Sequence, residues 1–329
     1  MKAEAVFTQV PLETDSIPLP LDNPASWDGE LPAIPPSLEE SRCYCERLAR
    51  GHYENFPVAT LLLPSHLRPH FYAVYAYCRW ADDLGDETGD RARSLWLLDR
   101  WEQELDACYA GQARHPVFVA LVDTVNRLNI PAQPFRDLIT AFRQDQVKTR
   151  YATFDDVLGY CRYSANPVGR LVLYVCGYRD AERQELSDYT CTALQLANFW
   201  QDVRRDYDIG RIYIPLDEMA AAGYSEDDLQ AQRYNERLAG LLRSLVARTW
   251  ALFRKGLPLV ERVDRRLAAD IELFSRGGME ILRLIEKQNY NVLGRRPHLQ
   301  KSQIPMLGAA VLAGQLSRRR ASRTDRAAH

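Results

Sequence analysis

The apolar residues between Ser37 and Leu316 recur with a helical period, and this pattern limits the fold more than any other feature of the sequence. Strands would need runs in which Val and Ile alternate with polar residues, and such runs are missing. Gly, Pro or Asn residues separate the amphipathic stretches, which we predict as helices at 91–110, 117–128, 134–147, 153–178, 184–208, 235–256 and 259–290. The sequence therefore predicts an all-α bundle with a central hydrophobic cavity, an architecture that builds ligand sites from facing helices.

Both ends of the sequence differ from this helical middle. Residues 1–38 contain seven prolines and no apolar signal core, so we predict a flexible tail there and one domain over 39–316. Residues 317–329 are basic and are predicted as a second tail, for which free exposure to solvent and contact with anionic lipid both stay open. No uninterrupted apolar run reaches the roughly 18 residues that a membrane-spanning helix needs.

Composition narrows the class of protein. A formal net charge of -2 gives no electrostatic footprint for nucleic acid. The seven cysteines are odd in number, form no CxxC pair and have no recognisable zinc spacing, which indicates reduced thiols in a cytoplasmic setting. Cys43 and Cys45 are interpreted as buried or half-buried small hydrophobic residues and not as a CxC metal motif.

Two acidic clusters far apart in the sequence carry the strongest chemical signal. CRWADDLGDE holds Asp82 and Asp86 at i,i+4, and ANFWQDVRRDYD holds Asn198, Asp202 and Asp206 at i,i+4,i+8. On helices each set forms a row of oxygen ligands, and the apolar residues at helical spacing before Asp82 indicate that its row faces the core. Inward carboxylates repel one another unless cations lie between them, so we predict two or three Mg²⁺ ions that bind together with a diphosphate.

Two other interpretations fit acidic helices. The clusters can be ordinary solvated helix ends on a non-catalytic helical scaffold, although this leaves inward carboxylates unexplained. A di-iron carboxylate bundle needs Glu-x-x-His pairs, and none of the six histidines has a Glu three residues before it. Stabilisation by Mg²⁺ with pyrophosphate in a thermal-shift assay would separate an enzyme from a scaffold.

Arginines and aromatic residues accompany both acidic rows. Arg79 lies three residues before Asp82, and Arg204, Arg205 and Arg211 surround the second row, a mixture that suits a departing diphosphate. A salt bridge to an acidic neighbour is the alternative for each arginine, and we expect that role for Arg205. Departure of diphosphate from an allylic or cyclopropylcarbinyl carbon leaves a carbocation, which aromatic ring faces stabilise. We interpret most of the aromatic residues on predicted core helices as ordinary core residues and Tyr75 as a substrate contact. These aromatic residues are Tyr72, Tyr75, Tyr77, Tyr160, Tyr163, Tyr174, Phe199 and Tyr290.

The segment YCRYSANPVGRL predicts a bend inside a helical stretch. Pro167 removes a backbone hydrogen bond, while Ala165 and Gly169 keep the side chains at the bend small. Such a bend lets a bulky ligand lie against the backbone. A simple break between two core helices is the alternative, and the spacing alone does not decide between them.

Five segments together resemble, in order and spacing, the head-to-head prenyl synthases, the family of squalene, dehydrosqualene, phytoene and presqualene diphosphate synthases. The segments are HYENFPVA at 52–59, CRWADDLGDE at 78–87, YCRYSANPVG at 160–169, NFWQDVRRDYDIGRIYIP at 198–215 and FSRGGMEILRLIEKQNYNVLGRRP at 274–297. The resemblance covers about residues 40–300 and implies a single isoprenoid-synthase α-bundle. It also implies two farnesyl-type diphosphate subsites, Mg²⁺ on the two acidic helices and a central hydrophobic tunnel.

The resemblance assigns roles by position, with the two acidic rows as the Mg²⁺ ligands. The other matches are His52, Asn55 and Phe56 near the substrate, Arg79 and Arg211 at the diphosphate, Tyr160 or Tyr163 at the ionising carbon, and Tyr290 at the diphosphate.

Departures from the common family pattern favour one branch. Many members carry Arg just before the Asp of the second motif and AGxVG in the kinked helix, where this chain has Gln201 and SANPVG. Together with HYENFPVA, these features resemble the bacterial hydroxysqualene synthases of the hopanoid pathway, which ionise presqualene diphosphate and let water capture the rearranged cation. Gln201 and Asn166 are the candidates for holding that water, and a structural hydrogen bond is the alternative for Gln201.

The leading prediction is an enzyme that converts presqualene diphosphate and water to hydroxysqualene and diphosphate without NADPH. The alternatives are condensation of two farnesyl diphosphates to presqualene diphosphate, and complete squalene synthesis, which needs a nicotinamide nucleotide. An isoprenoid diphosphate is the expected partner, and hand-over from a presqualene diphosphate synthase stays open. We predict a cytoplasmic location and leave peripheral contact with the inner membrane face open.

Overall fold

The computed structural model describes residues 24–51, 64–300, 308 and 311, and within them the protein is built from α-helices. The helices are α1 (Leu38–Gly51), α2 (Arg68–Asp86), α3 (Arg91–Tyr109), α4 (Pro116–Leu128), α5 (Gln133–Asp145), α6 (Phe154–Ser164), α7 (Asn166–Val175), α8 (Ala181–Asp208), α9 (Leu216–Ala221), α10 (Glu226–Gln230), α11 (Glu236–Gly256) and α12 (Arg265–Lys287). The described residues contain no β-strand, only an isolated bridge between Arg150 and Ile212. The predicted all-α class is confirmed.

Capping residues explain where several of these helices begin. The Thr153 side chain accepts from the Asp156 backbone N–H while the Asp156 carboxylate accepts from the Thr153 N–H, a capping box that starts α6. The Asn235 and Asp264 side chains cap α11 and α12 by accepting from backbone N–H groups of their first turns. These caps satisfy donors that a helix start would otherwise leave without partners.

Two of the predicted helices are divided in the structure. The stretch 153–178 forms α6 and α7, which meet at Ala165, and Pro167 lies in the first turn of α7. Proline fits there because a first-turn residue needs no N–H partner, whereas inside a longer helix it would remove one bond and clash. The stretch 259–290 forms a 3₁₀ helix, Leu257–Glu261, and then α12.

The core of the described chain contains two large hydrophobic clusters and a small third one around Leu173, Leu259 and Leu267. The first packs α2 against its neighbours around Trp80 and Trp101, whose rings stack with centroids 5.3 Å apart. The second packs α8 against α6, α11 and α12 around Trp200, whose ring N–H donates to Thr249 at 2.8 Å. Side chains from both clusters line the candidate site, so the packing of α2 and α8 fixes the two acidic rows in place.

The N-terminal segment extends the first core. Trp27 is only 3% exposed, and its ring packs edge-on against Trp80, Trp101 and His115. Burial of such a large ring contributes on the order of 2–3 kcal/mol. The prediction of a flexible tail through residue 38 is therefore wrong for the part around Trp27, while residues 1–23 lie outside the described chain.

Two further sequence predictions can be compared with the fold. In the described part of the chain, no helix is long and apolar enough to cross a membrane.

All seven cysteines are free thiols, and Cys45 is buried as expected, but Cys43 is exposed. The prediction of a buried or half-buried residue is wrong for Cys43, because its position in the first turns of α1 points it to solvent.

Candidate active site

One cavity contains all five predicted metal ligands. It has a volume of about 470 Å³ and lies between α2 and α8, with α5, α6 and α7 closing it. Its acidic and amide lining groups are Asp82, Asp86, Asp145, Gln195, Asn198, Asp202 and Asp206. The nearest predicted ligands of the two rows, Asp86 and Asn198, are 112 residues apart in the chain, yet both rows face one shared space.

Burial disfavours the charged form of two carboxylates in this cavity, one in each acidic row. Burial, with the Asp86 charge as a second cause, raises the pKa of Asp82 to about 6. Burial and the Asp202 charge raise the pKa of Asp206 to about 7. Both shifts mean that the negative forms are disfavoured here, so a bound cation would relieve a cost that the fold already carries.

The chemistry of the donor groups is compatible with a hard divalent metal ion that also binds substrate oxygens. Among residues 24–51 and 64–300, no three His, Cys, Asp or Glu side chains come close enough to hold a metal ion by themselves. Each row supplies a few hard oxygen donors and leaves the other coordination positions to water or phosphate. This donor set suits Mg²⁺, which usually binds through one or two carboxylates together with substrate phosphates.

Three arginines pair with the acidic rows. Arg79 forms ion pairs with Asp83 and, at 3.6 Å, with Asp82, and Arg211 donates to Asp86 at 3.0 Å. Arg296 forms a bidentate pair with Asp202, in which Nη2 lies 2.9 Å from Oδ2. The sequence reasoning missed Arg296, because it lies 94 residues after Asp202 and only the return of the chain brings them together.

The other two arginines near the second row point away from the cavity. Arg205 is exposed, with Nη1 4.0 Å from Asp202, which matches the surface ion pair expected for it. Arg204 donates to Gln232 and to the Leu293 carbonyl.

An aromatic wall closes one side of the acidic cavity. The rings of Phe199 and Tyr213 stack with centroids 3.7 Å apart, and Tyr160 lies 6.0 Å from Phe199. The Tyr160 hydroxyl donates to Asp145 Oδ2 at 2.9 Å. Burial raises the pKa of the Asp145 carboxyl to about 7, and its Oδ1 is buried without a hydrogen-bond partner in the described chain. Neither Tyr213 nor Asp145 was predicted as a site residue from the sequence, although Tyr213 lies in the IGRIYIP segment that follows the second acidic row.

An apolar cavity of about 500 Å³ adjoins the acidic one. The two cavities share Tyr75, Cys78 and Val168 in their walls. Gly169 lets α7 approach α8 closely, since a Cβ there would overlap the Ser187 hydroxyl and the Cys191 sulfur. Gly169 lines the apolar cavity, so the bend predicted at SANPVG lies in its wall, and contact of a ligand with that backbone stays a prediction.

Several predicted site residues lie elsewhere. Asn166 is buried, and its side-chain oxygen accepts from Thr192 at 2.8 Å. Gln201 is also buried and donates to the Pro297 carbonyl at 2.5 Å, which favours the structural alternative for this residue. Tyr163 packs at the edge of the second core, and Tyr290 has Arg243 over its ring 5.1 Å from the centroid. None of the four lines the acidic or the apolar cavity described above.

The remaining predicted substrate contacts are of two kinds. Tyr75 lines both cavities, and Arg79 and Arg211 line the acidic one, while their contacts with substrate stay predictions. His52, Asn55 and Phe56 lie outside the described residues. Of the aromatic candidates, Tyr77 is wholly buried in the first core, where its hydroxyl donates to the Phe135 carbonyl.

Known proteins match the chain over most of its length. The sequence profile of the squalene/phytoene synthase family matches residues 49–303. A hydroxysqualene synthase of Sinorhizobium fredii is 35% identical over 276 residues, which cover 83% of this chain and 92% of that protein. Phytoene synthase 3 of Zea mays is 34% identical over 267 residues, which cover 78% of this chain, and the chain spans 62% of that protein's length.

A solved structure shares both fold and sequence with this chain. The crystal structure of a squalene synthase from Alicyclobacillus acidocaldarius matches with a TM-score of 0.74 and 48% identity. The match covers 77% of this chain and 96% of that one. Similarity thus extends to proteins named for three different products, so identity by itself does not select one product.

Proposed function

Because the chain belongs to the squalene/phytoene synthase family, an enzyme family that acts on isoprenoid diphosphates, we propose that it converts presqualene diphosphate and water to hydroxysqualene and diphosphate. The observation that carries the proposal is the pair of adjoining cavities, one acidic and one apolar, which share the walls formed by Tyr75, Cys78 and Val168. A molecule with a diphosphate head and hydrocarbon tails matches both environments at once. The ionising carbon would then lie at their junction.

The acidic cavity would hold the diphosphate with its metal ions. Asp82 and Asp86 on α2 and Asn198, Asp202 and Asp206 on α8 are the proposed Mg²⁺ ligands. When bound, Mg²⁺ supplies Lewis-acid neutralisation of the charge that develops on the leaving diphosphate. Arg79 and Arg211 add guanidinium donors on the α2 side, where a fixed fork suits phosphate oxygens.

The junction would protect the carbocation. The stacked rings of Phe199 and Tyr213, with Tyr160 beside them, present π faces and few nucleophiles. Such faces stabilise a cation within about 6 Å, and the low polarity of the apolar cavity strengthens the effect. Water is kept from early attack because the hydrocarbon tails would fill the apolar cavity.

Asp145 is the best-placed group for the water that ends the reaction. Its Oδ2 is fixed by the Tyr160 hydroxyl, and its Oδ1 lies buried at the wall of the acidic cavity. We propose that the Asp145 carboxylate accepts a hydrogen bond from the captured water and takes its proton as the C–O bond forms. This assignment replaces Gln201 and Asn166, whose side chains are bonded to Pro297 and Thr192.

Product analysis tests the proposal. Purified protein would be incubated with Mg²⁺ and presqualene, farnesyl or geranylgeranyl diphosphate, each with and without NADPH, and the products identified by mass spectrometry. Hydroxysqualene from presqualene diphosphate, unchanged by NADPH, supports it. Presqualene diphosphate, squalene or phytoene as the main product would move the chain to another reaction of its family. The phytoene arm is included because relatives with that name match the chain.

The cellular setting is a second proposal. We propose a cytoplasmic enzyme that receives presqualene diphosphate from a separate synthase, with peripheral contact of the basic 317–329 segment at the inner membrane face as a variant to test. Flotation with anionic and neutral vesicles, using the full chain and a chain that ends at residue 316, separates the two. Binding only by the full chain and only to anionic vesicles supports the membrane contact.

A further inference from the structure

Hydrogen bonds hold the segment that follows α12 against α8, the helix that carries the second acidic row. The Gln201 side chain, on α8, donates to the Pro297 carbonyl at 2.5 Å and is only 5% exposed. One turn further along α8, Arg204 donates to the Leu293 carbonyl at 3.4 Å. The backbone of residues 293–297 is therefore held against the helix that carries the second acidic row.

This attachment places Arg296 on a predicted metal ligand. Its guanidinium binds both oxygens of Asp202, with Nη2 2.9 Å from Oδ2 and Nε on Oδ1. The guanidinium occupies one lone pair on each Asp202 oxygen and partly neutralises the carboxylate charge, so it weakens the attraction of Asp202 for a metal ion and the two cations compete.

Arg296 also lines a basic cavity next to this pair. The cavity has a volume of about 430 Å³, and its charged or ionisable lining groups are Lys287, Arg295, Arg296 and His298. An anion that approaches Asp202 from this side meets positive charge, and Arg296 is the member that touches the acidic row. A guanidinium fork matches two phosphate oxygens as well as it matches a carboxylate.

We propose that Arg296 is a diphosphate-binding residue, that Asp202 holds it while the site is empty, and that Gln201 is the positioning residue for its segment. When the metal-bound diphosphate arrives, Arg296 would exchange the Asp202 carboxylate for diphosphate oxygens, and Asp202 would become available as a metal ligand. This inference rests on the proposed diphosphate chemistry of the site. Many family members carry Arg at the position of Gln201. In this chain Gln201 would instead position the C-terminal segment, and Arg296 of that segment would supply the guanidinium.

Two binding titrations by calorimetry test the exchange, one with Mg²⁺ alone and one with pyrophosphate at saturating Mg²⁺. For Arg296→Gln we expect tighter binding of Mg²⁺ alone, because a competitor for Asp202 is gone. We expect weaker binding of pyrophosphate by about ten- to a hundredfold, the effect of one lost charged contact. Arg296→Lys should recover part of the pyrophosphate affinity, since it keeps the charge but not the fork.

Arg205→Gln is the matched control, because it also removes one positive charge near Asp202 but from an exposed side chain. It should leave pyrophosphate affinity within about twofold of wild type. Gln201→Leu should weaken pyrophosphate binding through the loss of positioning, and the further change Arg296→Gln in that background should then add little.

The outcomes separate this inference from the proposed function. Opposite changes in the two affinities of Arg296→Gln, with Arg205→Gln unchanged, support the exchange. A parallel fall of both affinities, or pyrophosphate binding equal to wild type, would overturn it and leave the proposed function standing. If the wild-type chain bound neither Mg²⁺ nor Mg²⁺ with pyrophosphate, the proposed function would fail and the exchange with it.

Discussion

Asp270 offers a test of the apolar cavity that does not depend on catalysis. It lies near the start of α12, lines the apolar cavity and is 5% exposed. Its Oδ1 is buried and has no hydrogen-bond partner within the described ranges. Burial, helped by the Asp264 charge, raises the pKa of this carboxyl to about 7. A carboxylate in such a place destabilises the folded state whenever it is charged.

The size and sign of the effect follow from that pKa. An unfolded Asp titrates near 3.9, and each pKa unit corresponds to ~1.4 kcal/mol, so the charged form costs on the order of 4 kcal/mol above pH 7. Since the folded pKa is the higher one, the folded state binds the proton more tightly. Stability should fall as pH rises between about 4 and 7 and change little above that range.

Asp270→Asn removes this contribution and keeps the shape. We expect the variant to be more stable than wild type at pH 8 by about 2–4 kcal/mol, with the advantage mostly lost at pH 5. Chemical denaturation followed by circular dichroism at both values measures the difference. Taking the difference between variant and wild type at each pH cancels the contributions of the other carboxylates to first order.

Asp227→Asn is a suitable control, because it removes a carboxylate from an exposed helix start. Its difference from wild type should be small and the same at both pH values. An advantage of Asp270→Asn that did not grow from pH 5 to pH 8, or a loss of stability at pH 8, would refute the reasoning and show that the carboxylate has a partner.

Three other predictions concern the acidic cavity. Asp82→Ala and Asp202→Ala should each abolish turnover, and substantial activity at saturating Mg²⁺ would contradict the metal assignment. Metal-free Asp82→Ala should melt at or above the wild-type temperature, whereas Asp202→Ala also removes the ion pair with Arg296 and should melt slightly lower. Tyr160→Phe should change the product ratio measured by mass spectrometry, because it frees Asp145, whereas Tyr163→Phe should match wild type. Asp145→Asn should lower the alcohol yield and raise elimination products while diphosphate release continues, and an unchanged alcohol yield would remove Asp145 from the water step.

The acidic rows could be predicted from the sequence because their geometry is local. Asp82 and Asp86 lie one helical turn apart, as do Asn198 and Asp202, so the helical period alone sets which residues share a face. The apolar residues before the first row gave the direction of that face. Both rows line one cavity in the structure, and that meeting, unlike the order within each row, depends on how α2 and α8 pack.

Contacts between distant segments could not be predicted in the same way. Arg296 reaches Asp202, and Gln201 reaches Pro297, only because the chain turns back after α12. Trp27 was assigned to a tail because the prolines around it dominated the local pattern, yet three rings of the first core enclose it. In each case a long-range contact decided the position of a residue whose neighbours in sequence indicated another environment.

The central claim is that water, and not hydride, captures the cation formed from presqualene diphosphate. The most direct measurement is a reaction of the purified protein with presqualene diphosphate and Mg²⁺ in H₂¹⁸O, with and without NADPH, followed by mass spectrometry of the lipid products. The account predicts hydroxysqualene with ¹⁸O in its hydroxyl and no diversion to squalene by NADPH. Squalene as the main product with NADPH, or an alcohol without ¹⁸O, would contradict it.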